Sequence, residues 1–420
     1  MEQNSPNILH LTSSISGGAG IATLRIHNLL IERNFKSKLI TKKLNKNSLK
    51  GTLINKIFNF IKIFIPKKLK SIFKDIKHNN YLSAYSFYQK NELQKNGISR
   101  DLVSSIKDID ILFVHWVSDF VNIFDIFYLF EKHNCKVIFV MLDHAHITGG
   151  YHFKLDKYNK YLEENGKKVK MPQKNLANKQ FKVKKNLISI MHPEIITFSK
   201  NDEQLAKNSS FDFKKIWRTT IPIDNINLQP NFDKLETYDC DYKTIFSCAY
   251  SLSDYRKGSK FLIQVLNYLD EMIDDHKRIR VLCSSDADVD SLHFKNIFFE
   301  KFTYNEDVSV YSQNYHNSDI FLFTSIVDSA PQMPSEALLC GLPIISFDTA
   351  NIREIIIDSC DGSIIEDFDS KKMADEAFKL LYLSENENTY QKKMYRYNRI
   401  KEYHNKSFLD KIINQIIHNK

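Results

Sequence analysis

The stretch DSAPQMPSEALLCGLPIISFD, residues 328–348, carries three charges, all acidic: Asp328, Glu336 and Asp348. Before it, DIFLFTS (319–325) is an apolar run with the length of a buried strand, and within it PIISF (343–347) is another. Between the two runs the residues read as a loop stiffened by Pro331 and Pro334, then a helix with Glu336 in its first turn. Gly341 stops that helix and Pro343 follows, the usual asymmetry of a helix end. A strand–loop–helix–strand order argues a parallel sheet with crossover helices. Asp328 is then expected at the carboxyl end of a strand, with both carboxylates facing a cleft. Carboxylates near a helix N-terminus stay ionised and accept hydrogen bonds from paired hydroxyls, which sugars and riboses offer densely. Taken singly, Glu336 also reads as an ordinary first-turn acid and Asp328 as a loop cap.

The same alternation runs outward in both directions. NILHLTSSISGGAGIATLRIHNLLIERN (7–34) reads strand, glycine loop, helix, and SKLIT (37–41), DIDILFVHWV (108–117), CKVIFVMLD (135–143) and EIITFS (194–199) read as further strands. Around IPIDNINLQPNFDK (221–234) the pattern lapses into Pro and Asn, as in a linker. A second series follows: KTIFSCAY (243–250), a helix over about 258–275, IRVLCSS (279–285), VSVY (308–311) and DIFLFTS as strands. The expected fold is α/β, with two Rossmann-like doubly wound domains facing a cleft, over 1–222 and 243–395, joined by a linker over 223–242. A helical tail over 396–420 is expected to return to the first domain.

The chain has 420 residues, 43% apolar and 26% charged, a soluble globular balance long enough for two cores. Its net charge of +9 is local. Residues 42–77 hold eleven lysines against Asp75, and the remainder balances to −1. In that segment LINKIFNFIKIFI gathers its Leu, Ile and Phe on one side, a pattern repeated in KKLKSIFKDIK. A basic amphipathic pair of this kind reads as binding an anionic membrane surface, or as core-facing helices with a solvated lysine face. Residues 154–185 hold eleven more lysines with few apolar anchors and read as a mobile loop. Residues 42–77 contain no Arg, and the lysine-rich stretches show no interleaved base-stacking pattern on a sheet, so no nucleic-acid partner is expected. Six cysteines without C-x-x-C spacing read as reduced core residues of a cytoplasmic protein. With a polar N-terminus no signal peptide is expected, and no run has the ~18 apolar residues of a spanning helix.

Two more segments carry candidate chemistry. Gly17, Gly18 and Gly20 between a strand and a helix would let the backbone approach a phosphate or sugar, although the G-x-G-x-x-G spacing of a dinucleotide site is missing. Arg256 and Lys257 precede Gly258 at a helix start, an arrangement suited to a diphosphate, or simply two solvated loop cations.

Together these segments resemble retaining glycosyltransferases of the GT-B fold, family 4. Asp328, seven residues and Glu336 look like that family's glutamate–seven–glutamate motif, and ALLCGLPIISFDTANIREII (337–356) is similar to the block that follows it. YSLSDYRKG (250–258) resembles its Lys-Gly loop, and SGGAGIATLRIHNLL (16–30) its N-terminal glycine loop and helix. ILFVHWV (111–117) and LDHAHITGGYHF (142–153) resemble segments of a polysaccharide-building branch. Four positions depart: Asp328 for the first glutamate, Leu142 for a histidine, Tyr151 for a cysteine cluster, and Thr349-Ala350-Asn351 for a glycine pair.

The resemblance implies transfer of a sugar, with retention, from a nucleotide-diphosphate sugar to a glycan or lipid-linked acceptor, without a cofactor or metal. It implies that Lys257 and Arg256 neutralise the diphosphate, Glu336 holds the ribose, and Asp328 contacts the transferred sugar. Asp143, His144 and His146 lie where one of them orients the acceptor or the sugar's primary hydroxyl. Gly17, Gly18 and Gly20 would let the acceptor-side loop close over the sugar. The basic insertion would dock the enzyme on the cytoplasmic leaflet during surface-polysaccharide assembly. A different class remains open: a non-catalytic GT-B subunit that scaffolds a partner enzyme at the membrane.

Overall fold

A computed structural model describes residues 5–42, 97, 99–169, 174–223, 227–232, 242–247, 254–284, 289–303, 307–383 and 389–418. The basic segment 42–77 therefore lies outside the described residues except for Lys42. Twelve strands among the described residues form two six-stranded sheets. The first holds β1 (Asn7–Thr12), β2 (Lys36–Thr41), β3 (Ile111–Val114), β4 (Lys136–Val140), β5 (Glu194–Thr197) and β6 (Lys215–Arg218), in the order β2-β1-β3-β4-β5-β6. The second holds β7 (Tyr242–Phe246), β8 (Arg278–Ser284), β9 (Ile297–Phe302), β10 (Ile320–Phe323), β11 (Ile344–Phe347) and β12 (Gly362–Ile365), in the order β12-β11-β10-β7-β8-β9. Every pairing is parallel. Runs such as Ile111-Leu112-Phe113-Val114 are buried at every residue, because helices cover both faces of such a sheet.

Both sheets are doubly wound, and each reverses direction next to its first strand. In the second sheet β7 lies between β10 and β8, so the loops leaving β7 and β10 sit side by side at the switch point, where open α/β sheets bind ligands. Those loops carry Arg256, Lys257 and Asp328.

The chain crosses between the two halves more often than the sequence suggests. Helix Tyr390–Tyr403 packs on the second half through Ile400, which joins Phe321, Leu338 and Ile355. The last helix, Lys406–His418, returns to the first half, as expected: Leu409, Ile413 and Ile416 pack against Ile8, Ile26 and Ile138. At the crossover His404 is buried, its ring nitrogens bonded to the Ile221 carbonyl at 2.7 Å and the Ser335 hydroxyl at 2.7 Å. Burial lowers its pKa to about 3. Two other buried histidines, His10 and His115, share a 2.8 Å hydrogen bond behind the first sheet. Burial likewise depresses His10, and takes His115 to about 3.

Three expectations are corrected. The lysine-rich stretch 154–185 is not a loop: it forms helices Asp156–Glu164 and Lys174–Met191. Tyr158, Tyr161 and Leu162 recur at helical spacing, and their face enters the core of the second half against Phe261 and Phe368. In that helix Lys157 and Lys160 lie outside the buried face and obscure the stripe. VSVY is not a strand but the start of helix Val308–His316, where the Asp307 carboxylate accepts from the Ser309 N–H and Tyr311 and Tyr315 turn inward. The strand at that place in the sheet is β9. Finally, helix Gln332–Leu339 begins just after Pro331, so Pro334 sits inside its first turn and Glu336 one turn further along.

Candidate active site

The loop after β7 is built around one glycine. Asp254 caps the short turn Tyr255–Lys257, accepting from the Arg256 N–H at 3.0 Å. Gly258 then takes φ +72° and starts helix Ser259–Met272. A Cβ there would stand 1.9 Å from the Thr324 carbonyl oxygen, so glycine lets the two loops touch. The Ile326 N–H donates to the Arg256 carbonyl at 2.9 Å, and the Thr324 hydroxyl to the Lys257 carbonyl at 3.0 Å.

This stitching brings the charged side chains together. Lys257 Nζ lies 2.6 Å from Asp328 Oδ2, and the Arg256 guanidinium 3.0 Å from the same oxygen and 3.2 Å from Asp254. The other Asp328 oxygen accepts from the Ser329 N–H at 3.0 Å. Burial alone would raise the Asp328 pKa, but Lys257 and Arg256 outweigh it and hold the carboxyl well below the usual range. Burial and the neighbouring Arg256 charge lower the Lys257 pKa. The Arg256 Nε–H is buried without an acceptor among the described residues, an orphaned donor that costs free energy until an acceptor reaches it.

Glu336 has partners from both halves. One carboxylate oxygen accepts from the Tyr315 hydroxyl at 3.2 Å, and the other pairs with Arg25 at 3.0 Å. Arg25 also donates to Gln332 Oε1, one turn earlier on the same helix, at 2.8 Å. Arg25 belongs to helix Gly17–Glu32 and carried no signal in the sequence beyond its place on an amphipathic helix. In that helix Gly17, Gly18 and Gly20 form the first turn. Open space surrounds the Cβ positions of Gly17 and Gly18, whereas one on Gly20 would lie 2.3 Å from the Ile15 carbonyl carbon. Gly20 therefore serves close packing.

Asp143 and His144 follow β4, and protein partners occupy their polar atoms. Asp143 accepts from the Ala145 N–H at 2.8 Å and pairs with His152 at 2.5 Å. Burial would raise its pKa, but His152 and His146 bring it below the ordinary value. His144 Nδ1 accepts from the Lys154 N–H at 2.9 Å, which places the ring proton on Nε2, facing Asp202 at 3.2 Å. The second Asp202 oxygen accepts from the Ser329 hydroxyl at 2.6 Å. Asp202 thus links His144 to the residue beside Asp328, across the two halves. His146 turns away, to the His115 carbonyl at 2.9 Å. A cavity beside this network is lined by Trp116, Asp143, His146, His152 and Lys184. Leu142 packs with Ala330 against the core of the first half. Among the described residues no group of His, Cys, Asp or Glu is placed to hold a metal ion, and no helix is long and apolar enough to cross a membrane.

The structure therefore brings Arg256, Lys257 and Asp328 into direct contact, and places Glu336 on the helix that follows. His144 reaches them through Asp202 and Ser329, whereas Asp143 is held within its own loop by His152 and the Ala145 N–H. Neither of those linking residues stands out in the sequence, where they read as an ordinary helix acid and a loop serine.

Residues 254–400, the span that contains this cluster, match the family model "Glycosyl transferases group 1". No curated protein sequence matches the chain. Solved structures that resemble it include sucrose-phosphate synthase from Thermosynechococcus elongatus, 14% identical over 98% of both chains with a TM-score of 0.61. Anabaena HepE in complex with UDP is 11% identical over 99% of this chain and 100% of its own, also at 0.61. An α,α-trehalose-phosphate synthase (UDP-forming) from Burkholderia vietnamiensis is 10% identical over 98% and 99%, at 0.55. The two parallel sheets with their covering helices are thus those of the GT-B fold, and the half that carries Lys257, Asp328 and Glu336 has the sequence pattern of the glycosyl transferases group 1.

Proposed function

We propose that this chain is a retaining, metal-independent glycosyltransferase that moves a sugar from a nucleotide-diphosphate donor to a glycan or lipid-linked acceptor in bacterial surface-polysaccharide assembly. The observation that carries the reading is the junction of Lys257, Arg256 and Asp328 at the switch point of the second sheet, inside the span that matches the family model. UDP is the first donor base to test, because it is bound in the Anabaena neighbour.

In this reading the donor's diphosphate takes the place of Asp328 on Lys257 and Arg256. Fixed cations then stabilise the negative charge that grows on the leaving group. Asp328, released from them, accepts a hydroxyl of the transferred sugar, and Glu336 accepts the ribose hydroxyls. A carboxylate offers about four lone-pair sites, so Glu336 can receive them while keeping Tyr315 or Arg25. The acceptor hydroxyl attacks from the face the diphosphate leaves: its oxygen bonds the anomeric carbon as the sugar–phosphate C–O bond breaks, and its proton passes to the departing phosphate oxygen, so no pair of catalytic carboxylates is needed, unlike a glycosidase. Asp143 and His144 shape the acceptor side of the pocket. The lysine-rich segment 42–77 holds the enzyme on the inner face of the cell membrane, beside a lipid-linked acceptor.

The test is thermal unfolding with UDP, GDP, ADP, TDP and CMP, on the wild type and on Lys257→Ala and Glu336→Ala. A ligand at a hundredfold excess over its Kd stabilises by about 2.7 kcal/mol. One diphosphate should raise the midpoint of the wild type and of neither variant. A folded wild type that responds to none refutes a working donor site. That outcome would favour the scaffold reading, which has its own support: Arg25 occupies Glu336, and Leu142 stands where the resembling branch has a histidine.

A further inference from the structure

We propose that Phe153, on the acceptor-side loop, is a positioning residue for Arg256: its ring fixes the guanidinium in the orientation that receives the donor's diphosphate. The inference rests on the donor site proposed above. Phe153 belongs to the loop that follows β4, yet its ring lies over a cation of the other half, with the Arg256 Cζ 4.5 Å from the ring centroid. That distance is within the range of a cation–π contact. The same ring meets His144 edge-on, at 5.6 Å and 65°. The next residue, Lys154, gives its N–H to His144.

The Arg256 loop is held from this side a second time. Tyr255 and Val327, which flank Arg256 and Asp328, join Phe153 against Tyr151, Leu155 and Ala177. The hydroxyl of Tyr255 also bonds that of Tyr158, in the helix that crosses between the halves. The guanidinium thus has Asp254, Asp328, the Val327 carbonyl at 3.2 Å and the Phe153 ring around it. Asp328 is the partner that an arriving diphosphate displaces. Asp254, the Val327 carbonyl and the ring then remain to hold the guanidinium, the ring being the one that lies over its face, and the unsatisfied Nε–H gains an acceptor when phosphate oxygens arrive. The acceptor-side loop in this way sets how well the donor is gripped.

Space-filling alone would be served by any apolar side chain of similar size, whereas a cation–π contact requires the ring. The test is titration calorimetry of UDP and of uridine on wild type, Phe153→Leu and Phe153→Tyr, with the thermal midpoint of each ligand-free protein as a folding control. Phe153→Leu should weaken UDP about three- to tenfold, the range of a partly buried cation–π pair, and leave uridine within about twofold. Phe153→Tyr, which keeps the ring, should match wild type for both. Arg256→Lys, which keeps the charge without the plane, supplies a double-mutant cycle in which the Phe153→Leu effect shrinks. The proposal is overturned if Phe153→Leu binds UDP as wild type does, if UDP and uridine weaken equally, or if the cycle is additive. A wild type that binds no UDP but another diphosphate moves the titration to that nucleotide and its nucleoside. A wild type that binds none brings down the donor site itself, and this proposal with it.

Discussion

Tyr158 offers the sharpest test of how the two halves are joined. It is 3% exposed and packs against Phe261 and Phe368 of the second half, although its own helix follows the acceptor-side loop. A buried aromatic side chain removes roughly 150–250 Å² from water, about 4–6 kcal/mol at about 25 cal/mol per Å². That is an upper figure, since the unfolded chain already covers part of its surface. Truncation to alanine keeps the Cβ and leaves a partly relaxed cavity, so about 3–5 kcal/mol is expected for Tyr158→Ala. Tyr158→Phe keeps the ring and removes the bond to Tyr255, about 1 kcal/mol. Urea unfolding of the three proteins, followed by intrinsic fluorescence and by hydrogen exchange over 156–164, measures both. An exposed loop position would change stability by less than about 0.5 kcal/mol. If Tyr158→Ala stays within that margin, or if wild-type residues 156–164 exchange as fast as open chain, the helix does not cross into the second core and the reasoning fails.

Other perturbations give separate readouts. Gly258→Ala must place a side chain at φ +72° against a backbone oxygen, and should cost at least about 1–2 kcal/mol in urea unfolding. Arg25→Ala leaves the nearly buried Glu336 carboxylate without its cation and should cost about 2 kcal/mol, more than Tyr315→Phe by the same assay. His10, His115 and His404 have depressed pKa values, so the unfolded chain takes up their protons first as pH falls below about 6.5. Their contribution to stability should therefore be full above that pH and be lost as pH falls, for His115 and His404 between about 6.5 and 3 at up to about 1.4 kcal/mol per pH unit each, with a shallower decline in His404→Gln. Flotation with phosphatidylserine vesicles should recover the wild type at low salt, lose it at high salt, and fail when the lysines of 42–77 are changed to glutamine; binding that persists in that variant would remove the proposed membrane role.

The fold was legible because parallel strands buried on both faces leave short apolar runs such as Ile111–Val114 and Ile344–Phe347, set between glycine, proline and helical segments. VSVY misled because alternating valines imitate a strand, while the Asp307 cap that makes it a helix is a short-range hydrogen bond. The helix of Tyr158 was hidden by composition: six of its nine residues are charged or Asn and suggest a solvated chain, and the other three, Tyr158, Tyr161 and Leu162, decide its place. In the site, Asp328, Glu336 and Lys257 were visible through motif spacing. Arg25, Asp202, Ser329 and Phe153 were not, because each acts on a residue more than a hundred positions away and nothing local distinguishes it.

The return of the last helix has a consequence for how such a protein can be cut or recombined. The described part of residues 1–222 holds a sheet that takes part of its cover from Lys406–His418, and a helix whose apolar face belongs to the other half. Expressed as a contiguous piece, that segment would expose both its uncovered face and the Tyr158 stripe. Residues 243–395 alone would lack the side chains that Tyr158 and Leu162 lend to their core. Neither half is thus a portable module, and a chimera that exchanges donor specificity must carry residues 156–164 with the second half and leave 406–418 with the first.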